Sequence, residues 1–397
     1  MFRTSKFQRV VLMVASAMLL VLGSAKPLPA LAPDGCVPVA AWVAPGGAGL
    51  DARSVIADAA RQSVVLLGES HESFEHHRWQ LQMLAALHAL RPNMVIGFEM
   101  FPRRVQKALD RWVAGELSAA EFLKSADWDN VWHMDPALYL PLFHFARMNR
   151  IPMVALNIEP GLRNAVAKAG FDAVPEGERE GVTRPAAASE GYIDYLLPVY
   201  REHEREKKKE GAGRDDPDFR RFIATQTLWD RAMAQVLAAA TTRPGRPLAV
   251  GIIGSGHLVH GYGVPHQLKD LGVTDIASLL PWDRARACKE LVSGLADAVF
   301  GVAAPAVQTP SRQRLGVRIE TATEGVRIVQ VEKASIAEQA DIRAGDVITE
   351  IAGVPAKRSA DVVTAVRRQA PGTWLPMTVK RDGAAREIAA KFPPLTR

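Results

Sequence analysis

The chain has 397 residues, 48% hydrophobic and 23% charged, which excludes a largely disordered protein and allows two or three domains with cores of their own. Lysine and arginine outnumber the acids 49 to 43, but Arg3, Lys6, Arg9 and Lys26 lie in the first 32 residues, which hold no acid, so the excess makes no case for nucleic acid. The two cysteines, Cys36 and Cys288, are too few for a disulfide-built scaffold or a cysteine-rich zinc module.

Arg3, Lys6 and Arg9 precede the apolar stretch Val10–Leu22, small residues follow at Gly23–Ala25, and Ala30-Leu31-Ala32 offers a cleavage site. The pattern predicts a secretory signal peptide over residues 1–32 and an exported, periplasmic protein. An uncleaved anchor is the alternative, and it would leave the protein associated with the membrane. Cys36 follows Pro33-Asp34-Gly35, a poor context for lipidation. In an oxidising compartment Cys36 and Cys288 could bridge, but sequence does not show that they meet.

From about residue 45 to 300, short apolar runs of the kind buried strands show alternate with helical patterns. The runs are Val64–Leu67, Met94–Phe98, Met153–Leu156, Leu248–Ile253 and, more weakly, Ile276–Leu280. The helices are expected over Trp79–Leu90, Val105–Val113, Pro141–Met148 and Thr225–Ala240. This is the grammar of an α/β fold with a mostly parallel sheet and flanking helices. Residues 174–217, with Tyr192, Tyr195, Tyr200 and the charge run Arg201–Glu210, break the alternation and predict a partly helical cap. Residues 301–311 read as a linker. From 312 to 394 the pattern becomes that of a small β-rich domain, with a strand from Leu315, a helix from about Ser359 to Arg368 capped by Ser359, and a hairpin turn at Asp382-Gly383.

Chemistry is expected where the strands end, because ligands of open parallel sheets bind beyond the carboxyl edge. Val64–Leu67 leads into Gly68-Glu69-Ser70-His71, Met94–Phe98 into Glu99, and Leu248–Ile253 into Gly254-Ser255-Gly256-His257. The repeated Gly-x-x-His suggests two imidazoles at one site. With Glu69 or Glu99, His71 and His257 would make a divalent metal set with open positions. Without metal they would serve as general base and orienting carboxylate. The plainer alternative is a pair of loop histidines that tie strand ends. Of His76 and His77, adjacent on a helix, at most one can face this pocket.

These motifs support a resemblance. Val65-Leu66-Leu67-Gly68-Glu69-Ser70-His71-Glu72 with His76-His77-Arg78 and Gln80, then Phe98-Glu99-Met100-Phe101, Tyr139, Gln226 with Asp230 and Met233, and finally Gly254-Ser255-Gly256-His257 and Gly263-Val264-Pro265 are similar to ChaN-like haem-binding proteins of the Tiki/ChaN superfamily. The tail, with Arg314-Leu315-Gly316-Val317 and Ala344-Gly345-Asp346-Val347-Ile348, resembles a PDZ domain. The resemblance implies haem as cofactor, a role in haem or iron uptake, a tyrosine iron ligand and a homodimer around paired haems. Candidate haem contacts are then Tyr139, Tyr192, Tyr195, Tyr200, Tyr262 and His76. Other superfamily members, esterases and metal-dependent peptidases, imply a hydrolase using Glu69, His71, Glu99 and His257 instead. A third reading is a PDZ-led interaction protein whose body has lost its chemistry. The PDZ likeness implies peptide or protein C-termini as partners, held at Leu315, Gly316 and Val317.

Overall fold

The computed structural model describes residues 35–206, 213–303 and 314–394. The expected signal peptide and most of the expected linker lie outside them. The described residues fall into two compact units, a body and a tail.

The body is built on β1 (Trp42–Val43), β2 (Gly49–Leu50), α1 (Ala52–Arg61), β3 (Val64–Glu69), α2 (Phe74–Leu90), β4 (Met94–Pro102), α3 (Gln106–Val113), α4 (Ala119–Ser125), α5 (Trp128–Val131), α6 (Leu140–Met148), β5 (Met153–Asn157), α7 (Pro160–Ala169), α8 (Glu190–Glu206), α9 (Pro217–Thr241), β6 (Leu248–Gly254), α10 (Val264–Asp270), β7 (Ile276–Asp283) and β8 (Ala298–Val302). The strands form one eight-stranded sheet in the order β2-β1-β8-β7-β3-β6-β4-β5. All pairs from β8 to β5 are parallel, and β1 is antiparallel to both of its neighbours. This is the expected α/β class.

Side chains alternate across the sheet, as strand geometry requires. Val65, Leu67, Ile96 and Phe98 enter one core with α2, α3 and α6. Val64, Leu66, Val95 and Ile253 enter another with α9 and α10. With both faces covered, the strands read as continuous apolar runs rather than alternating ones, which is why five of them were visible in the sequence.

Two helices begin several residues earlier than expected: the one expected from Trp79 starts at Phe74, where the Ser73 side chain caps the His76 N–H. The helix expected from Thr225 begins eight residues earlier, at Pro217, because Asp216 caps the Asp218 N–H at 2.8 Å and proline suits a first turn. Among the described residues of the cap region the α-helix is α8, with one 3-10 turn at Glu176–Glu178, and residues 170–189 are mostly irregular.

In the tail, β9 (Val317–Ala322), β10 (Gly325–Val331), α11 (Ile336–Gln339), β11 (Val347–Ile351), β12 (Val354–Pro355), α12 (Ser359–Arg367), β13 (Trp374–Arg381) and β14 (Ala384–Lys391) form an antiparallel sheet with two helices. Its path runs β14-β13-β11-β10-β9, leaving β9 at the edge. Asp382 and Gly383 both take positive φ, +50° and +82°, as a two-residue type I′ hairpin requires. Ser359 is not the cap of α12. The cap position is Arg358, and the Asp361 carboxylate accepts its N–H at 2.8 Å, while the Ser359 hydroxyl meets Thr321.

Candidate functional site

β6 lies between β3 and β4, and the three end at one sheet edge. In register, Glu69 stands opposite Gly254 and Phe98 opposite Ile252. Glu69-Ser70-His71, Glu99 and Gly254…His257 therefore emerge together. The glycines of the two Gly-x-x-His segments make room for one another. A Cβ on Gly68 would meet Ser255 Oγ at 2.7 Å, and one on Gly254 would meet the His71 ring at 2.8 Å.

Glu99 is fully buried at the centre. The Gly254 N–H donates to its Oε2 at 2.7 Å, while Oε1 has no hydrogen-bond partner and lies 3.7 Å from His257 Nε2. The arrangement around it is nearly symmetric. On one side the His71 Nδ1 bonds Glu69 at 2.7 Å, and the Tyr139 hydroxyl donates to the same carboxylate at 2.9 Å. On the other the His257 Nδ1 bonds Asp230 at 2.6 Å, and the Tyr192 hydroxyl donates to Asp230 at 2.7 Å. Each imidazole also has a tryptophan edge: Trp132 at 4.7 Å from His71 and Trp229 at 4.9 Å from His257. Arg163 of α7 lies over the Trp229 ring at 4.3 Å.

The charges follow from these partners. Burial would raise the Glu69 carboxyl, but the hydrogen bonds of His71 and His77 outweigh it and hold the group down to about 2. Burial would lower both site imidazoles. Glu69 and Glu99 hold His71 above the usual range, and Asp230 does the same for His257. Each histidine thus sits in a carboxylate pair that favours its charged form. Burial drives the Tyr139 and Tyr192 phenols far upward, and the adjacent carboxylates add to it.

The expected metal set was His71 and His257 with Glu69 or Glu99, and of the two carboxylates the structure turns Glu99 toward the imidazoles. Glu69 is committed to His71, to Tyr139 and, at 3.2 Å, to the His77 Nδ1, and the carboxylate facing both imidazoles is Glu99. Among the described residues no cluster of three His, Cys, Asp or Glu side chains is arranged to hold a metal ion.

The haem candidates separate by burial. Tyr139 is fully buried against Glu69 and His77 and cannot present its oxygen to a bound group. Tyr192 is spent on Asp230. Tyr200 is buried with Phe219 and Phe222. His76 is buried, its Nδ1 accepting the Ser70 N–H and its Nε2 3.2 Å from Asp283. Tyr195 and Tyr262 differ. Both are half-buried, their ring centroids are 6.4 Å apart, and His260 contacts both. Neither hydroxyl bonds a described residue. Gly256 brings this rim close to the sheet edge, since a Cβ there would stand 3.8 Å from the Tyr195 hydroxyl.

Sequence reasoning gave no role to Arg163, Trp132 or Trp229. Asp230 was named through the motif resemblance, with Gln226 and Met233, but was given no role there.

In the tail, Leu315 is buried, and its carbonyl accepts the Ala337 N–H at 2.8 Å, while that of Gly316 accepts the Glu332 N–H at 2.9 Å. Gly316 takes φ +78°, and a Cβ there would lie 2.3 Å from the Ser335 Cβ, so only glycine fits this bend.

Fold and site together define a covered parallel α/β body with a two-histidine sheet edge, followed by a peptide-groove type of β domain. The family model described as haem-binding uptake, Tiki superfamily, ChaN matches residues 55–268, and that of the PDZ domain matches residues 313–392. The chain belongs to the ChaN family of the Tiki superfamily and carries a C-terminal PDZ domain. Among solved structures it is similar in fold to ChaN of Campylobacter jejuni, described with cofacial haem binding, at 17% identity and a TM-score of 0.50, over 65% of this chain and 95% of that one. The HtrA3 PDZ domain with a phage-derived ligand matches 20% of this chain and 82% of its own at 22% identity and a TM-score of 0.18. The HtrA-type protease AlgW with a decapeptide matches 22% of this chain and 30% of its own at 22% identity and 0.20. The PDZ assignment rests on the family model rather than on these two. No curated protein matches the chain.

Proposed function

We propose that this chain is an exported, periplasmic haem-binding protein of haem or iron uptake, with a PDZ domain that takes protein C-termini. Family membership supports haem as the ligand, and the observation that carries the reading is the Tyr195–Tyr262 rim. It presents two half-buried phenols free of hydrogen bonds to described residues, whereas Glu99 at the sheet edge has no exposed surface. Bound haem would supply ferric iron, for which a phenolate is a fitting anionic donor. Burial pushes the Tyr195 phenol up, and the Arg286 charge works against that rise. We assign the iron to Tyr195 on geometry, because its hydroxyl stands beside Gly256 at the sheet edge, with His260 and Tyr262 flanking it. A second copy meeting this aromatic rim is the dimer the family suggests. In the PDZ domain an extended peptide would add to the free edge of β9, with its carboxylate at Leu315-Gly316-Val317. Haem titration of the purified chain tests the reading: a saturable Soret band supports it, and haem that remains unbound at micromolar protein refutes it.

One observation favours a second reading, a metal-free hydrolase. His71 and His257 converge on Glu99, each oriented by a buried carboxylate through Nδ1, as a general base requires. Ester hydrolysis lost in both His71→Ala and His257→Ala, with haem binding retained, would select it.

A further inference from the structure

The only two cysteines of the chain, 252 positions apart in sequence, lie on segments that pack together in the fold. The N-terminal arm brings Cys36 there. Its neighbour Gly35 takes φ +71°, and a Cβ at that position would stand 3.4 Å from the Arg284 carbonyl, so the turn rests on the loop after β7. Beyond it the arm is held against β8 by Ala40 N–H to Gly301 O at 2.8 Å and Gly301 N–H to Ala41 O at 3.0 Å. Gly301 has no room for a Cβ, which would lie 2.0 Å from the Pro38 carbonyl. A further tie joins the Gly46 N–H to the Leu291 carbonyl at 3.1 Å. Cys36 is half-buried against the core that holds Trp282, and Cys288 is exposed. Burial, and after it the neighbouring Cys288 thiol, raises the Cys36 thiol.

We propose that Cys36 and Cys288 form an intramolecular disulfide in the mature protein. The bridge would clasp the arm left by signal cleavage to the loop that carries Arg286. Two thiols lose two protons and two electrons as the S–S bond forms, and the electrons pass to the disulfide of a thiol–disulfide exchange protein, which leaves as a dithiol. Cys288, being exposed, enters the mixed disulfide, and the Cys36 thiolate attacks its sulfur to release the partner. The consequence for the ligand rim is local. Arg286 lies over the Trp282 ring at 4.3 Å and bonds Glu290 at 2.8 Å, and its charge acts on Tyr195. Closing the bridge two residues away restrains that placement. This last step rests on the haem reading, whereas the bridge does not.

The test uses the full mature chain, folded and in urea, equilibrated with mixed reduced and oxidised glutathione, then alkylated and weighed. The expected result is a folded protein that takes no alkyl group and is about 2 Da lighter than its reduced form, at a glutathione ratio that leaves the urea-unfolded chain reduced. A tryptic fragment joining the two cysteine peptides should accompany it. Folded protein that stays doubly alkylated, or only acquires glutathione on Cys288, overturns the proposal. The double variant Cys36→Ser/Cys288→Ser should still bind haem but with a severalfold faster release. Haem binding absent in the bridged wild type would instead count against the haem reading alone.

Discussion

Replacing Gly254 by alanine should dislodge His71 without unfolding the body. The new Cβ would stand 2.8 Å from His71 Cε1, 3.2 Å from Nε2 and 3.5 Å from Glu99 Oε2. Non-bonded carbons settle at roughly 3.5–4.0 Å, so the imidazole must retreat by about 1 Å. It has somewhere to go, because a third of the His71 side chain is exposed while Glu69 behind it is sealed. Retreat breaks the 2.7 Å bond to Glu69. A hydrogen bond to a charged partner contributes about 1.5–3 kcal/mol, and water reaching the freed ring returns part of that, leaving a loss of about 1–2 kcal/mol. Urea unfolding reads the stability. NMR titration of the ring reads the displacement: against a burial that works to lower it, His71 is held above the usual range by Glu69 and Glu99, and in the variant it should fall back. Gly256→Ala is the control, since its Cβ would make an ordinary 3.8 Å contact with the Tyr195 hydroxyl. A Gly254→Ala protein with an unchanged His71 titration would refute the reciprocal fit of the two Gly-x-x-His segments.

Glu69, held down to about 2 against 4.5 for an ordinary carboxyl, contributes stability that is complete above pH 4.5 and lost as the pH falls from there toward 2. At about 1.4 kcal/mol per unit this is at most ~3.5 kcal/mol, and Glu69→Gln should flatten that acid limb in urea unfolding. His71 and His77 are both raised above 6.5, so their share is present below pH 6.5 and lost as pH rises through their folded values, which a stability profile from pH 6 to 9 should show. Phe143 is fully buried among Phe98, Phe101, Phe122, Trp128 and Tyr139, and Phe143→Ala should cost about 3–5 kcal/mol in the same assay. A peptide-library pull-down with the full chain should retain peptides by their free C-termini, and equal retention of amidated peptides would contradict the groove reading.

The strands of the body were legible because each is buried on both faces. Val64–Leu67 and Leu248–Ile253 carry enough consecutive apolar residues to stand out without any periodicity. The short strands β1 and β2 were not, being two residues each, with β1 placed by its pairing to β8 far along the chain and β2 added beside it. The meeting of His71, Glu99 and His257 followed from parallel topology, since strands running one way end on one edge. What orders them there did not. Asp230 comes from the middle of α9 and Trp132 from beyond α5, and no local pattern tells a helix or loop which sheet edge it will cover. The five tyrosines could not be ranked in sequence because their burial is a tertiary property. In the structure Tyr139 and Tyr192 turn out to be hydrogen-bond donors to buried carboxylates, and only Tyr195 and Tyr262 stand at the rim.

The central claim, that the body takes haem at the tyrosine rim, is met most directly by haem titration of four proteins side by side: wild type, Tyr195→Phe, Tyr262→Phe and His257→Ala. The account predicts a saturable Soret band in wild type and a band shifted in position and weakened in affinity by at least tenfold in Tyr195→Phe, with a smaller change in Tyr262→Phe and the wild-type band in His257→Ala. A wild-type band that survives unchanged in Tyr195→Phe but vanishes in His257→Ala would contradict it and move the haem to the sheet edge.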